Sequence, residues 1–395
     1  MRRNQAPPAA ADVVVVGGGV IGLSTAYHLA RAGVERVVLL ERDGFGGGST
    51  CKAAGGVRAN FSDEVNVALG LRSLETFEKF AVDFDQEIDL HQTGYLFLID
   101  DESDLQVFRA SSALHRLMGV ESHLLDPDEA ERLCPLISSD GLVGALFTPR
   151  DGHCTPESVV LGYTRAARRA GVTLVSGCEV TGIVAEGDRI LGVRTPAGPI
   201  AADDVVCAAG AWSRSLGAMV GVDLPVTPLR RQVVCTEPVA DLPADLPFTI
   251  DFATSMYFHR EGRGLLLGMP EREDSWSFDL TRTTEWLGDL AEAMARRMPS
   301  LDDVGLAHGW AGLYEMTPDH NALIGRSSQM PGFWYATGFS GHGFLMGPAV
   351  GELMSDLFLG RTPYVDVSGL SADRFAADDV RPEVNPEVNP EVNIV

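Results

Sequence analysis

The chain has 395 residues, of which 45% are hydrophobic and 22% charged, with a formal net charge of −24; this is a soluble globular composition, longer than one core usually supports, so two domains are expected. Such acidity argues against nucleic acid or an anionic membrane as a partner. The six cysteines, at 51, 134, 154, 178, 207 and 235, form no C-x-x-C pair and no tight cluster, which speaks against a disulfide framework or a metal site and for scattered thiols in a reducing compartment.

Residues 1–10 (MRRNQAPPAA) read as a flexible arm. Arg2 and Arg3 precede an apolar stretch as in a signal peptide, but Asp12 interrupts it and the glycines at 17–19 suit a membrane helix poorly. No transmembrane segment follows, so the expected location is cytoplasmic. The first unit is a strand at 13–16, a glycine turn, a helix to about Arg31 and a strand at 36–40. Within it, VVVVGGGVIGLSTAYHLARAG sets Gly17, Gly19 and Gly22 in the pattern G-x-G-x-x-G. Gly17 permits the tight turn, Gly19 lets a pyrophosphate approach the backbone, and Gly22 lets helix and strand pack closely. Val20 and Ile21 open a helix whose N-terminus faces the phosphates with its partial positive charge. Glu41, nineteen residues after Gly22, is placed to accept hydrogen bonds from the adenosine ribose and would repel a 2′-phosphate. Arg42 follows it on the cofactor.

The run RDGFGGGSTCKAAGGVR after Glu41 consists largely of small residues that let backbone approach a bulky cofactor. TGYLFLI at 93–99 is a strand. Thr155 is an expected N-cap, with Pro156 at the first position of a helix to about Ala170. Strands near 172–184 and 189–194 follow, then DVVCAAGAW at 204–212, and GLLLGM at 264–269 reads as a further strand. After strand FWYAT at 333–337, TGFSGHGFLMGPAVGELMSDLFLG forms a second glycine turn opening a closing helix. PEVN then occurs three times from Pro382, and with residues 381–395 reads as a flexible tail. Segments 11–90, 150–225 and 318–370 are assigned to a discontinuous Rossmann-type FAD-binding domain. Segments 91–149 and 226–317 are assigned to a substrate domain on a mainly antiparallel sheet, which makes the fold class α/β (α+β). The second helix N-terminus decides for FAD over NAD, because its dipole favours negative charge at the N1–C2 carbonyl edge of a reduced flavin.

GGGVIGLSTAYHLA, GGST…GGVR, DGHCTP at 151–156, AAGAW at 208–212, TPDHNALIG at 317–325 and GFSGHGF at 338–344 together resemble the D-amino acid oxidase superfamily, in its sarcosine oxidase, glycine oxidase and dimethylglycine dehydrogenase branch. The resemblance spans residue 11 to about 365. It implies extended FAD, a substrate sheet over the flavin face, and oxidation of a C–N bond in an amine or amino acid. Carried over by motif, Ser49, Thr50, Cys51 and Lys52 line the flavin. Val180 meets the adenine side, and Gly210 and Trp212 flank the cofactor. Gly338, Gly341, His342, Gly343, Phe344 and Leu345 approach the ring. Three departures qualify the match: Gly312 and Lys52 stand where relatives attach FAD through cysteine or histidine, which predicts non-covalent FAD. Leu345 replaces a lysine that helps grip the substrate carboxylate in sarcosine oxidases, which leaves room for a large or apolar N-substituent.

The expected reaction moves hydride from the carbon beside a neutral amine nitrogen onto flavin N5; the imine then hydrolyses and O2 is reduced to H2O2. A secondary amine such as an N-substituted glycine is the expected substrate, and release of glyoxylate from an N-carboxymethyl amino acid fits. Arg58 is the candidate carboxylate anchor, against a surface role. Lys52, one of only two lysines, would assist electron transfer to dioxygen or else pair with a phosphate or carboxylate. Tyr257 and His259 share one face of MYFHR and would hydrogen-bond the substrate, or pack in the interior. His342 moves protons or braces the flavin site, whereas His153 and Cys154 read as structural. Two other readings remain: a dehydrogenase, as the β-type subunit of a sarcosine- or proline-oxidising complex passing electrons to a partner, and a catalytically silent FAD-binding subunit. An oligomer is compatible with each.

Overall fold

Residues 7–375 are described in the structure, a computed structural model; the PEVN repeats and residues 1–6 lie outside the described residues. Four consecutive valines make Val13–Val16 a strand buried on both faces, as the middle of a sheet covered on two sides requires. It is flanked in parallel by Val37–Leu40 and Asp204–Cys207, so that Val16 lies between Leu40 and Cys207. Thr173–Val175 and Phe333–Thr337 extend this six-stranded sheet in parallel, and Leu323–Arg326 closes one edge antiparallel.

A helix from early in the described residues and one from late in them meet on one side of this sheet. Helix Val20–Arg31 packs on helix Gly343–Phe358. A Cβ on Gly347 would lie 2.6 Å from Val20 Cγ2, and one on Gly351 would lie 2.0 Å from Ser24 Oγ. Two glycines one turn apart therefore set the approach of the two helices, and with it the spacing of the glycine turns that precede them.

The expected strand region at 172–184 divides. Thr173–Val175 joins the large sheet, whereas Gly182–Glu186 pairs with Arg189–Thr195 in a separate three-stranded sheet completed by Gly198–Ala201. The predicted arm at 1–10 is also corrected at its end. Ala201 N–H donates to Ala9 O, and Ala11 N–H to Ala201 O, both at 2.9 Å, which ties the segment to that small sheet.

A second large sheet has eight strands, drawn from Tyr95–Ile99, His123–Leu125 and Gly144–Thr148 and from five strands between Thr227 and Met316. Its neighbours run antiparallel except where the two chain excursions join: Phe248–Asp251 lies parallel to Tyr95–Ile99. Those strands come from separate excursions, so no hairpin fixes their relative direction. Helix Trp286–Arg297 covers the far face through an ion pair buried at both ends, Arg297 Nε to Asp251 Oδ1 at 3.0 Å. Helices Glu64–Glu78 and Glu102–Met118, capped by Asp63 and Asp101, were not anticipated. Thr155 does precede helix Pro156–Arg169, but its side chain makes no capping bond.

Candidate active site

The first turn is tight enough to exclude side chains. Gly17 adopts φ +116°, and a Cβ there would sit 2.1 Å from Ala208 O. At Gly22 a Cβ would be 2.0 Å from Gly17 O, whereas at Gly19 it would meet only Thr50 Oγ1, at 3.0 Å, and otherwise open space. Gly19 caps the following helix with no side-chain bond, and no acid lies in the first turn. Glu41 is held by the backbone, its two oxygens accepting from Gly18 N–H and Asp43 N–H at 2.7 Å each.

One continuous cavity runs from this turn to the second large sheet. Glu41, Arg42 and Val180 line one end; Gly17, Gly19, Val20, Ile21, Ser49, Thr50, Lys52, Gly210 and Trp212 line the middle. Gly341, His342, Gly343, Phe344 and Leu345 line the wall at the second turn, beside Arg58, Tyr95, Arg231, Phe248, Tyr257 and Tyr314. In that turn Ser340 and Gly341 take φ of 47° and 93°. Helix Gly343–Phe358 also begins without a side-chain cap or an acid in its first turn. Two helix N-termini with neither a capping side chain of their own nor a first-turn acid thus open on one cavity, each with a partial positive charge; at the first, Val20 N–H is taken by Thr50 Oγ1. The cradle that a Cβ at Gly17 would fill, with Gly19 beside it, suits a pyrophosphate, and the second N-terminus suits an anionic ring edge. The residues present fit FAD.

Four residues assigned from sequence do not reach the cavity surface. Gly22 lies behind the turn, where it permits close packing. Gly338 is turned inward, with its N–H donated to Glu315 Oε2 at 3.1 Å. Cys51 points away from the cavity towards Gly46 and Val160, and burial pushes its thiol up to about 11. His259 shares a strand face with Tyr257 as expected, but that face continues past the cavity under residues 53–56. There its ring faces Ala54 O at 2.9 Å and Arg260 O at 2.8 Å, and lies between His153 and Phe248.

Lys52 lines the cavity with its ammonium group held by its own loop, donating to the carbonyls of Gly47 and Gly48. Trp212 lies between Phe278, stacked at 5.2 Å, and the Arg42 guanidinium at 4.4 Å. Ser49 Oγ donates to Leu313 O at 2.6 Å and Thr50 Oγ1 accepts from Val20 N–H at 3.1 Å, which fastens this loop to the second large sheet and to the first turn of helix Val20–Arg31.

Arg58 is 4% exposed, and its hydrogen-bond partners are neutral. Nη1 donates to the carbonyl and side-chain oxygens of Asn60, both at 2.9 Å, and the guanidinium lies 4.1 Å from the centroid of Phe61. Nη2 is 3.1 Å from His342 Nε2. A guanidinium has only donors, so Nε2 accepts and the imidazole is neutral with its proton on Nδ1. Burial, and then the Arg58 charge, hold His342 well below the usual histidine range.

The opposite wall is aromatic. Tyr95 stacks on Phe248 at 4.4 Å and Phe248 on Tyr257 at 5.7 Å; Tyr257 and Tyr314 share a hydrogen bond between their hydroxyls. A Cβ on Gly56 would fall 1.9 Å from Tyr95 Oη, and one on Gly268 2.2 Å from the Tyr257 ring, so glycines make room for these rings. Glu315 lies half-buried against the second turn, accepting from Thr337 Oγ1 at 2.8 Å, and desolvation raises its carboxyl.

Sequence reasoning missed Tyr95, Arg231, Phe248, Tyr314 and Glu315. The alternation in TGYLFLI and in the strand before TPDHNALIG marks candidate faces, but only the pairing of strands from two excursions shows which face meets the cavity.

Residues 12–357 match the family described as FAD dependent oxidoreductase (DAO). Sarcosine dehydrogenase of Mus musculus, a mitochondrial protein, is 31% identical over 391 residues, covering 94% of this chain and 42% of the relative. The chain thus spans less than half of that relative's length. Among solved structures, L-proline dehydrogenase from P. horikoshii is 33% identical with a TM-score of 0.88, covering 94% of this chain and 99% of that one. Glycine oxidase from Geobacillus kaustophilus is 26% identical with a TM-score of 0.82, covering 92% and 98%.

Proposed function

The chain belongs to the DAO family of FAD-dependent oxidoreductases, and from that we infer that it oxidises the C–N bond of a small amine or amino acid, with a secondary amine such as an N-substituted glycine as its substrate. The observation that carries this reading is Arg58: a buried guanidinium with neutral partners, opening on the cavity beside the second helix N-terminus. A buried cation whose hydrogen-bond partners are all neutral, with the Asp151 carboxyl acting on it only from beyond hydrogen-bond reach, is costly, and a substrate carboxylate in bidentate contact offsets that cost.

FAD, when bound, supplies the acceptor for the hydride leaving the carbon beside nitrogen. Arg58 grips the carboxylate, and neutral His342 and Asn60 hold the guanidinium in orientation. Tyr95, Phe248 and Tyr257 form an apolar wall that excludes water from the reacting carbon and favours the uncharged amine. The Tyr257–Tyr314 pair supplies hydroxyls to orient the nitrogen. Water then hydrolyses the imine to a carbonyl compound and an amine. The cofactor is held without a covalent bond, since Lys52 and Gly312 offer neither cysteine nor histidine at the two expected attachment positions.

O2 is the proposed electron acceptor, with Lys52 as the fixed cation of the cofactor loop, and H2O2 the product. The names of the similar sarcosine and proline dehydrogenases favour a second reading, in which electrons pass to a partner protein. Anaerobic mixing of the yellow protein with N-alkylglycines, glycine, proline and D-amino acids tests the amine reading. Bleaching of the flavin absorbance by an N-alkylglycine is expected, and a panel in which nothing bleaches it refutes the reading. Peroxide released on readmission of air separates oxidase from dehydrogenase.

A further inference from the structure

Arg230 and Arg231 are adjacent on strand Thr227–Thr236, and the pleat sends them to opposite faces. Arg230 turns away from the cavity into a bidentate pair with Glu271, at 3.2 and 2.9 Å, and donates to Thr281 O at 2.9 Å. Arg231 lies opposite Gly312 in the antiparallel register, with Leu229 opposite Tyr314 and Val233 opposite Trp310. This is the cavity face, and Arg231 lines the cavity with its guanidinium 5.9 Å from the Tyr314 ring centroid.

The substrate end of the cavity therefore carries two guanidiniums, with the hydrogen-bonded Tyr257–Tyr314 pair in the field of Arg231 and Tyr314 also in that of Arg58. The acids lining the cavity, Glu41, Asp43, Glu179 and Glu315, belong to the glycine turns and the cofactor path. Arg231 also donates to Asp274 Oδ1 at 2.8 Å, but the two sides of that pair differ. The Arg231 side chain is 10% exposed and Asp274 39% exposed, on the segment that also stacks Phe278 on Trp212 of the cavity wall. A half-solvated carboxylate gives a weak pair, whereas a carboxylate inside the cavity would meet Arg231 with less water to compete.

We propose that Arg231 is a second carboxylate anchor, exchanging Asp274 for an acid group on the N-substituent, so that the substrate class is a secondary amine with two carboxylates, an N-(carboxyalkyl) amino acid. This deepens the proposed function and rests on it. Arg58 holds the carboxylate of the part that is oxidised and Arg231 that of the part released as an amino acid. In a chain of net charge −24, a buried Arg58 and a largely buried Arg231 also give a dianionic substrate a local attraction that the surface denies it.

The test uses the FAD-loaded full chain. Turnover is measured for sarcosine, N-(carboxymethyl)glycine and N-(2-carboxyethyl)glycine. Binding is measured, without chemistry, from flavin spectral shifts with thioether analogues in which sulfur replaces the nitrogen. Wild-type protein is expected to prefer the better dicarboxylate to sarcosine at least about tenfold in kcat/KM, and to bind dicarboxylate thioethers correspondingly tighter. Arg231→Met should collapse that ratio to near one, and Asp274→Asn should lower the dicarboxylate Kd by removing a competing carboxylate. Bleaching by sarcosine with no dicarboxylate preference, or equal loss on both substrates in Arg231→Met, overturns the second anchor and leaves the amine reading standing. No bleaching by any amine removes both. If Arg231→Met does not fold, the wild-type ratio and Asp274→Asn decide the matter alone.

Discussion

Arg58 and Arg231 show what a single residue does here, and why one was easier to find than the other. Arg58 closes the run GGVR, whose small residues had already placed it near the cofactor. Its fork is pre-organised by Asn60, the Phe61 face and the Nε2 atom of His342. Arg58→Lys keeps the charge but loses the planar pair of donors. We expect KM for an N-alkylglycine to rise about thirtyfold to a hundredfold, with a smaller change in kcat. Steady-state kinetics checks this, and an unchanged KM would mean that the carboxylate binds elsewhere. Arg231 could not be separated from Arg230 by composition or spacing, because adjacent identical residues differ only in the face they meet. Tyr257 and His259 show the converse: their shared face was legible, but not the point along the strand where the cavity ends and residues 53–56 cover it.

At the scale of elements, the strand, turn and helix around Gly17, Gly19 and Gly22 were readable because every constraint in them is local. The parallel joint between Tyr95–Ile99 and Phe248–Asp251 was not, since the strands are separated by some 150 residues and no turn specifies their pairing. Helices Glu64–Glu78 and Glu102–Met118 carried Asp N-caps that local reasoning could have used. Gly22 tests the first unit directly, because an added Cβ would meet Gly17 O at 2.0 Å and push the helix off the strand. Gly22→Ala should therefore cost about 1–3 kcal/mol of stability and purify with less FAD. Gly44→Ala, where a Cβ meets nothing within 4 Å, is the control. The ratio of flavin to protein absorbance and the thermal midpoint read both effects. Full flavin content with an unchanged midpoint in Gly22→Ala would refute the close-packing role.

For the molecule as a whole, histidines rather than carboxylates set the first response to acid. Six of the nine histidines, His28, His115, His153, His259, His320 and His342, are held below the usual value, each chiefly by burial. His28 and His259 are lowered to about 4 and His153 to about 2. The unfolded chain protonates these groups near pH 6.5 while the folded chain does not, so the stability they contribute is complete above that value and is lost as pH falls towards their folded values. The three protons of His28, His153 and His259 alone correspond to a limiting slope of about 4 kcal/mol per pH unit, and the other three rings add to it in the same direction. Buried carboxylates act in the opposite sense: Asp151, raised to about 6, binds its proton in the folded state first, which favours folding as pH falls through 6 towards 4. Relief of the repulsion among the surface acids likewise begins near their ordinary pKa of about 4. Between pH 7.5 and 5.5 the histidines therefore dominate. With FAD in excess, the thermal midpoint should fall by roughly 5–10 °C over that range. The fall should persist in 1 M salt, because burial is not screened as surface charge is. A midpoint that stays level or rises on acidification would show that these rings are not neutral and buried together in the folded protein.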